Sequence, residues 1–341
     1  MQIGLMSLGD HLPDPHGGDY ELGQSARHRS FVEQAVLAEE LGFHSVHLGE
    51  HHCSDYILSS PPVVLAAIAE RTHRLRLSTA VTLATHLDPV RIAEDYSTLD
   101  NLSDGRVEIV MGRGGFTLAY EVFGQSYEQS RPIYDESVVL VQKLLSEEKV
   151  DYDARFRAPL NGITVQPRPV QQPHPPIWVA AASDDSFDLA ADRGFRAMVP
   201  TFFVPSENFV SGVARYRERY AAAGHDPGNA RIATSSHTFV CRDSQDAKRL
   251  WRPYFGNYLN WLGGVLSSQP VAPQPRFDID AMIDGPALCG SPAQVVDRLG
   301  ALREELSMDL HLVGFDVGGL PEADLKASIE LFASEVLPAF R

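Results

Sequence analysis

Eight short apolar or β-branched runs recur along this chain, and segments with helical periodicity lie between them. The runs are Gln2–Ser7, Ser45–Leu48, Leu75–Leu83, Val107–Met111, Ile177–Ala181, Ala197–Pro200, Arg231–Val240 and Asp309–Val313. Most are nearly continuous in apolar residues rather than alternating, as a strand covered on both faces must be. The intervening segments carry single apolar stripes. Val32, Val36 and Leu41 form one, and Ile92, Tyr96 and Leu99 form another behind a helix-starting Pro89. Ser291-Pro292 reads as an N-cap followed by proline at the first helical position, ahead of Val295, Leu299 and Leu302. Leu325, Ile329, Phe332 and Val336 make a last stripe.

Repeated βα units give either a doubly wound sheet or a barrel, and eight of them favour a single (β/α)8 TIM barrel of the α/β class. A doubly wound sheet would usually carry a Gly-rich turn after its first strand. Here that strand runs into Ser7-Leu8-Gly9-Asp10-His11. The 341 residues suit one barrel domain, 1–341, with insertions. Residues 149–174, rich in proline and containing Asn161-Gly162, predict a turn-rich insertion with a short hairpin. Residues 263–290 open on Gly263-Gly264 and carry Pro270, Pro273, Pro275 and Pro286, which predicts a mobile lid.

A formal net charge of −16 argues against nucleic acid or an anionic membrane as partner. Three cysteines (Cys53, Cys241 and Cys289) without a CxxC pair argue against a disulfide framework. The first residues contain no basic patch and no long apolar run, so a cytoplasmic protein is expected.

In a barrel the chemistry sits where the strands end. The second strand ends at Gly49-Glu50-His51-His52-Cys53, the densest cluster of titratable groups. Its histidines suit proton transfer near neutral pH, although a surface loop with incidental histidines is the alternative. His47, Glu50, His51, His52 and Cys53 are all possible metal ligands, but the spacing is not HExxH and no metal is expected. Arg113 stands among glycines at the end of the fourth strand, where backbone N–H groups and a planar guanidinium can meet an anion. Ser183 precedes Asp184-Asp185-Ser186 at a helix start, and Arg131 lies just before another helix. Together the three would make a phosphate clamp. Taken singly, Ser183 reads as a plain N-cap and Arg131 as a surface ion pair.

Several stretches, in order, resemble the bacterial luciferase-like family. They are Glu39-Glu40-Leu41-Gly42-Phe43 through Gly49-Glu50-His51-His52, Asp88-Pro89-Val90-Arg91, Leu99-Asp100-Asn101-Leu102-Ser103-Asp104-Gly105-Arg106, Arg113-Gly114 and Ser130-Arg131. The series continues with Pro176-Ile177-Trp178-Val179-Ala180, Gly290-Ser291-Pro292 and Val336-Leu337-Pro338. The resemblance implies a barrel that binds FMN at its C-terminal mouth. It implies a monooxygenase in which reduced FMN and O2 give a flavin hydroperoxide that oxygenates a small organic substrate. It places the acid/base on His51 and the phosphate contacts on Arg113, Arg131 and Ser183, with Ala182 beside the last. It also implies a non-prolyl cis peptide under the flavin at Thr79-Ala80. Gly112 and Ala182 stand where luciferase has a cysteine and a glutamate, which points away from light emission and a long-chain aldehyde. No dinucleotide fingerprint is visible, so reduced flavin is expected from a separate flavin reductase. A homodimer is expected from the resemblance alone. The alternatives are a deazaflavin-dependent hydride-transfer enzyme on the same fold and a non-catalytic flavin-binding subunit.

Overall fold

Strands that bury both faces can form a doubly wound sheet or a closed parallel ring inside a sleeve of helices, and the computed structural model of the protein adopts the ring. The structure describes residues 1–269 and 277–341. The elements of its first half are β1 (Gln2–Ser7), α1 (Gln24–Leu41), β2 (Ser45–Leu48), α2 (Pro61–Ala69), β3 (Arg76–Thr79), β4 (Thr82–Leu83), α3 (Pro89–Leu102), β5 (Ile109–Gly112), α4 (Thr117–Val122) and α5 (Ser130–Ser146). The second half adds β6 (Val150–Tyr152), β7 (Leu160–Ile163), β8 (Ile177–Ala180), α6 (Asp184–Asp192), β9 (Arg196–Met198), α7 (Val210–Ala222), β10 (Ile232–Val240), α8 (Ser244–Ser267), α9 (Ile279–Asp284), β11 (Leu288–Gly290), α10 (Pro292–Leu306), β12 (Leu310–Gly314) and α11 (Glu322–Glu335).

The ring runs β3-β2-β1-β12-β10-β9-β8-β5-β4, all parallel. β3 and β4 are two pieces of one barrel strand, and a parallel bridge between Leu77 and Val107 closes the ring. Every residue of β2, β5, β10 and β12 is buried, which accounts for their mostly apolar or small residues, with His47, His237 and His311 as the buried exceptions. The helix starts follow their caps. The Asp88 side chain accepts the Val90 N–H ahead of Pro89, and Ser291 forms a reciprocal capping box with Gln294. Helix α1 ends on Gly42 at φ 87°, a left-handed C-cap that favours glycine.

Three segments fill in or alter the expected pattern. The third run is broken at Ala80–Val81, and the non-prolyl cis peptide lies there, one residue beyond Thr79-Ala80. Thr79 remains paired with Leu48, and the Ala80 N–H donates to the Leu48 carbonyl at 2.8 Å, so the chain leaves the ladder only after Ala80. Residues 149–174 contain the antiparallel pair β6/β7. Within 263–290, much of the chain is regular. Residues 263–267 complete α8, α9 follows, and β11 adds in parallel to the end of β10. Part of the expected lid, residues 270–276, lies outside the described residues. No helix among the described residues is long and apolar enough to cross a membrane.

Candidate active site

A cavity of about 380 Å³ opens at the C-terminal mouth of the barrel, within the usual range for a small-molecule site. Strand ends supply its floor: Met6 near the end of β1 and Leu8 just beyond it, Ala80 and Val81 between β3 and β4, Gly112 at the end of β5, Ala180 in β8 and Met198 in β9. A Cβ at Gly112 would collide with the Val81 side chain, so only glycine lets the two strands approach here. Phe116 and Ala119 bring the α4 side over the cavity, and Leu262 and Leu266 of α8 face it from another wall.

The β2 end forms a histidine wall. Glu50 is buried, and both its oxygens are engaged. One accepts the Leu83 N–H at 3.0 Å, and the other lies 2.9 Å from His52 Nε2. This carboxylate therefore ties the β2 turn to β4 and fixes the His52 ring. His51 lines the cavity, stacked on Tyr56 at 3.9 Å between centroids and tilted against Phe116 at 5.4 Å. Tyr56 is held in turn by a 2.7 Å hydroxyl contact with Tyr258. Burial, with a smaller contribution from His52, pushes the His51 pKa down to about 3. The ring is thus neutral at neutral pH, with one donor and one acceptor nitrogen. His86 borders the same space. It is 7% exposed, neither ring nitrogen has a partner among the described residues, and burial lowers its pKa to about 4.

Arg113 also lines the cavity, at its rim. Its Nη1 donates to Ser130 Oγ at 2.9 Å and its guanidinium lies over the Tyr127 ring. Among the described residues it has no carboxylate partner, so its charge is available to a ligand. Arg131 differs. It pairs with Asp135 at 2.9 Å, one turn along α5, and does not line the cavity. Ser183 caps α6 in a reciprocal capping box with Ser186, and Ala182 and Ser183 are exposed beside the cavity-lining Ala180. Because Met111 is paired with Val179, the Arg113 and Ser183 turns rise from neighbouring strands. Thr79 is buried and turned away, bonded to Thr82 Oγ1 at 2.8 Å and to the Val110 carbonyl at 3.2 Å, whereas Ala80 reaches the cavity.

A family model described as luciferase-like monooxygenase matches residues 1–309. The chain belongs to the luciferase-like monooxygenase family. It is 26% identical over 333 residues to the flavin-dependent trigonelline monooxygenase oxygenase component of Acinetobacter baylyi, covering 93% of this chain and 91% of that protein. Monooxygenase RslO1 from Streptomyces bottropensis superimposes with a TM-score of 0.89 at 29% identity, covering 100% of both chains. The oxygenating constituent of 3,6-diketocamphane monooxygenase from Pseudomonas putida, solved with FMN, shares the fold at a TM-score of 0.81 and 21% identity, over 99% of this chain and 98% of that one. The protein is accordingly an enzyme of this family.

Other lining residues carried no motif that marked them in the sequence. Phe202 and Phe203 follow β9, and Leu262 and Leu266 lie in the last two turns of α8; their role comes from where the barrel places them. Phe315, just after β12, is core, packed edge-on against Phe332. Trp261 packs edge-on to Tyr56 and donates to Asp55 at 2.7 Å, and Phe277 leans on Phe203. Among the described residues, no group of three or more His, Cys, Asp or Glu is placed to hold a metal ion.

Proposed function

We propose that this enzyme is the oxygenase component of a two-component system, taking reduced FMN from a separate reductase and using O2 to oxygenate a small organic substrate. The observation that carries this reading is a cavity that joins the neutral imidazoles of His51 and His86 to a guanidinium at its rim that has no carboxylate partner among the described residues. The residues fit the cofactor's two halves. The apolar floor of Met6, Leu8, Ala80, Val81 and Met198 suits a flat ring, and Arg113 suits a phosphate. Arg113 would hold that phosphate first, with Ser183 and the α6 N-terminus on the next strand; Arg131 would have to leave Asp135 to join them. Bound reduced flavin supplies two electrons and activates dioxygen.

His51 holds a proton at the reacting edge. With a pKa near 3 it acts as a neutral donor and acceptor, not as an imidazolium. Tyr56 and Phe116 fix its plane and exclude water from it. The names of relatives support the flavin and the separate reductase. A homodimer comes with the same reading on family grounds, and a cytoplasmic setting follows from the sequence pattern given above.

The test is oxygen consumption with supplied reduced FMN, beside a spectral titration with FMN and with a deazaflavin coenzyme. Tight FMN binding with oxygen uptake is the expected result. Binding of the deazaflavin alone would move the protein to the hydride-transfer branch of the fold. Flavin binding without oxygen uptake in the presence of substrate would make it a non-catalytic subunit.

A further inference from the structure

We propose, building on the oxygenase reading, that the organic substrate is an uncharged, ring-bearing molecule seated on the aromatic side of the cavity. The charge inventory of the wall argues for this. Among the described lining residues Arg113 is the only lysine or arginine, and the oxygenase reading assigns it to the cofactor phosphate. Glu50 is the only carboxylate, and His52 and the Leu83 N–H occupy its two oxygens. Burial keeps two of the lining imidazoles, His51 and His86, uncharged at neutral pH. A carboxylate, sulfonate or ammonium group would therefore enter a largely apolar space without a counter-charge, at the full cost of desolvation.

The shape of the far wall supplies the second half of the argument. Phe202 and Phe203 meet at 4.5 Å and 68°, and Phe203 also stacks parallel to Tyr258, so flat faces are fixed there by packing. Fixed aromatic faces gain from stacking on a planar or edge-on ring beyond the area buried. A carbonyl or hydroxyl on such a ring has neutral imidazole partners in His51 and His86. These features select for a ring with a neutral oxygen rather than for an ion.

The test uses the full chain with FMN present and three naphthalene probes at pH 7.5: 2-naphthol, 2-naphthoate and 2-naphthyltrimethylammonium, with affinities from calorimetry. The neutral probe is expected to bind at least about tenfold tighter than either ion. Equal or tighter binding of the carboxylate overturns the inference. So does equal or tighter binding of the ammonium, which would mean that the aromatic wall serves as a cation cage. Leu266→Lys, on the α8 wall, should shift the preference toward the carboxylate by a similar factor; no shift would show that the probes bind elsewhere and would also overturn it. Phe203→Leu should weaken 2-naphthol while leaving the fold intact, as read by circular dichroism; unchanged affinity counts against the seat. FMN affinity is measured separately. A protein that ranks the probes as expected but ignores FMN refutes the oxygenase reading, whereas one that binds FMN and prefers an ion refutes only the substrate class.

Discussion

The two ends of the barrel are built on opposite principles. At the N-terminal end, Glu108 on the approach to β5 takes Arg76 at 3.1 Å, Arg196 at 3.4 Å and the Trp178 indole N–H at 2.6 Å. Arg76 also donates to the Gly105 and Val107 carbonyls and to Gln171, whose amide reaches Asp100. Although burial raises the Glu108 pKa, the two arginines and Trp178 outweigh it, and the carboxyl titrates below its ordinary range. At the C-terminal mouth the polar groups are left incomplete. His86 and His237 have no partner on either ring nitrogen among the described residues, and one Asp10 oxygen is also unpaired. Buried polar atoms without partners cost about 1–3 kcal/mol each, so a fold tolerates them where function requires it. One end is closed by an ion-pair network; the other carries unpartnered polar groups, His86 among them, beside the cavity.

The contrast can be broken by substitution. His51→Ala should cut turnover with supplied reduced FMN by about 10²–10⁴-fold, the usual worth of a positioned proton donor, with little change in the urea midpoint. Full activity in this variant would remove His51 from the chemistry. At the other end, Glu108→Ala should cost about 2–4 kcal/mol in urea unfolding, because two partly exposed arginines lose their shared carboxylate. FMN affinity of the folded fraction should stay the same; a loss of affinity as large as the loss of stability would mean that the two ends are not independent.

Within the mouth, Arg113→Ala should weaken FMN by about 1.5–3 kcal/mol, as expected for a charged hydrogen bond. Arg131→Ala should change FMN affinity less, since its guanidinium is already paired with Asp135; a larger effect than at Arg113 would reverse their roles.

The smallest effect concerns pH. His47 and His86 are lowered to about 4, and His51, His237 and His311 to about 3, each chiefly by burial. The unfolded chain therefore binds more protons than the folded one between about pH 6.5 and those values, and stability falls as pH falls through that window. Asp10 works in the other direction. Burial raises it to about 7, so its contribution is lost as pH rises from about 4 toward 7. Asp10→Asn should consequently steepen the acid decline of the urea midpoint between pH 4 and 6.5. A shallower decline would show that Asp10 is ionised in the folded protein.

Much of this architecture was legible in the chain. Continuous apolar runs located all eight barrel strands because burial on both faces leaves little room for polar residues. Pro89 behind Asp88 and Pro292 behind Ser291 announced their helices because capping is a local interaction. The end-of-strand rule then brought His51 and Arg113 to one cavity, since barrel closure gathers every strand end at one mouth.

What the chain did not disclose depends on contacts between distant residues. The cis peptide is shifted to Ala80–Val81, with Thr79 still in the β2 ladder. Arg113 meets Ser130 and the Tyr127 ring and, among the described residues, no carboxylate. Phe203 faces the cavity because β9 and α8 bring it against Tyr258. Periodicity and capping are properties of a few consecutive residues and can be read along the sequence. Whether a charge is neutralised, or a ring left without a partner, depends on neighbours tens of residues away along the chain, and only the folded barrel decides it.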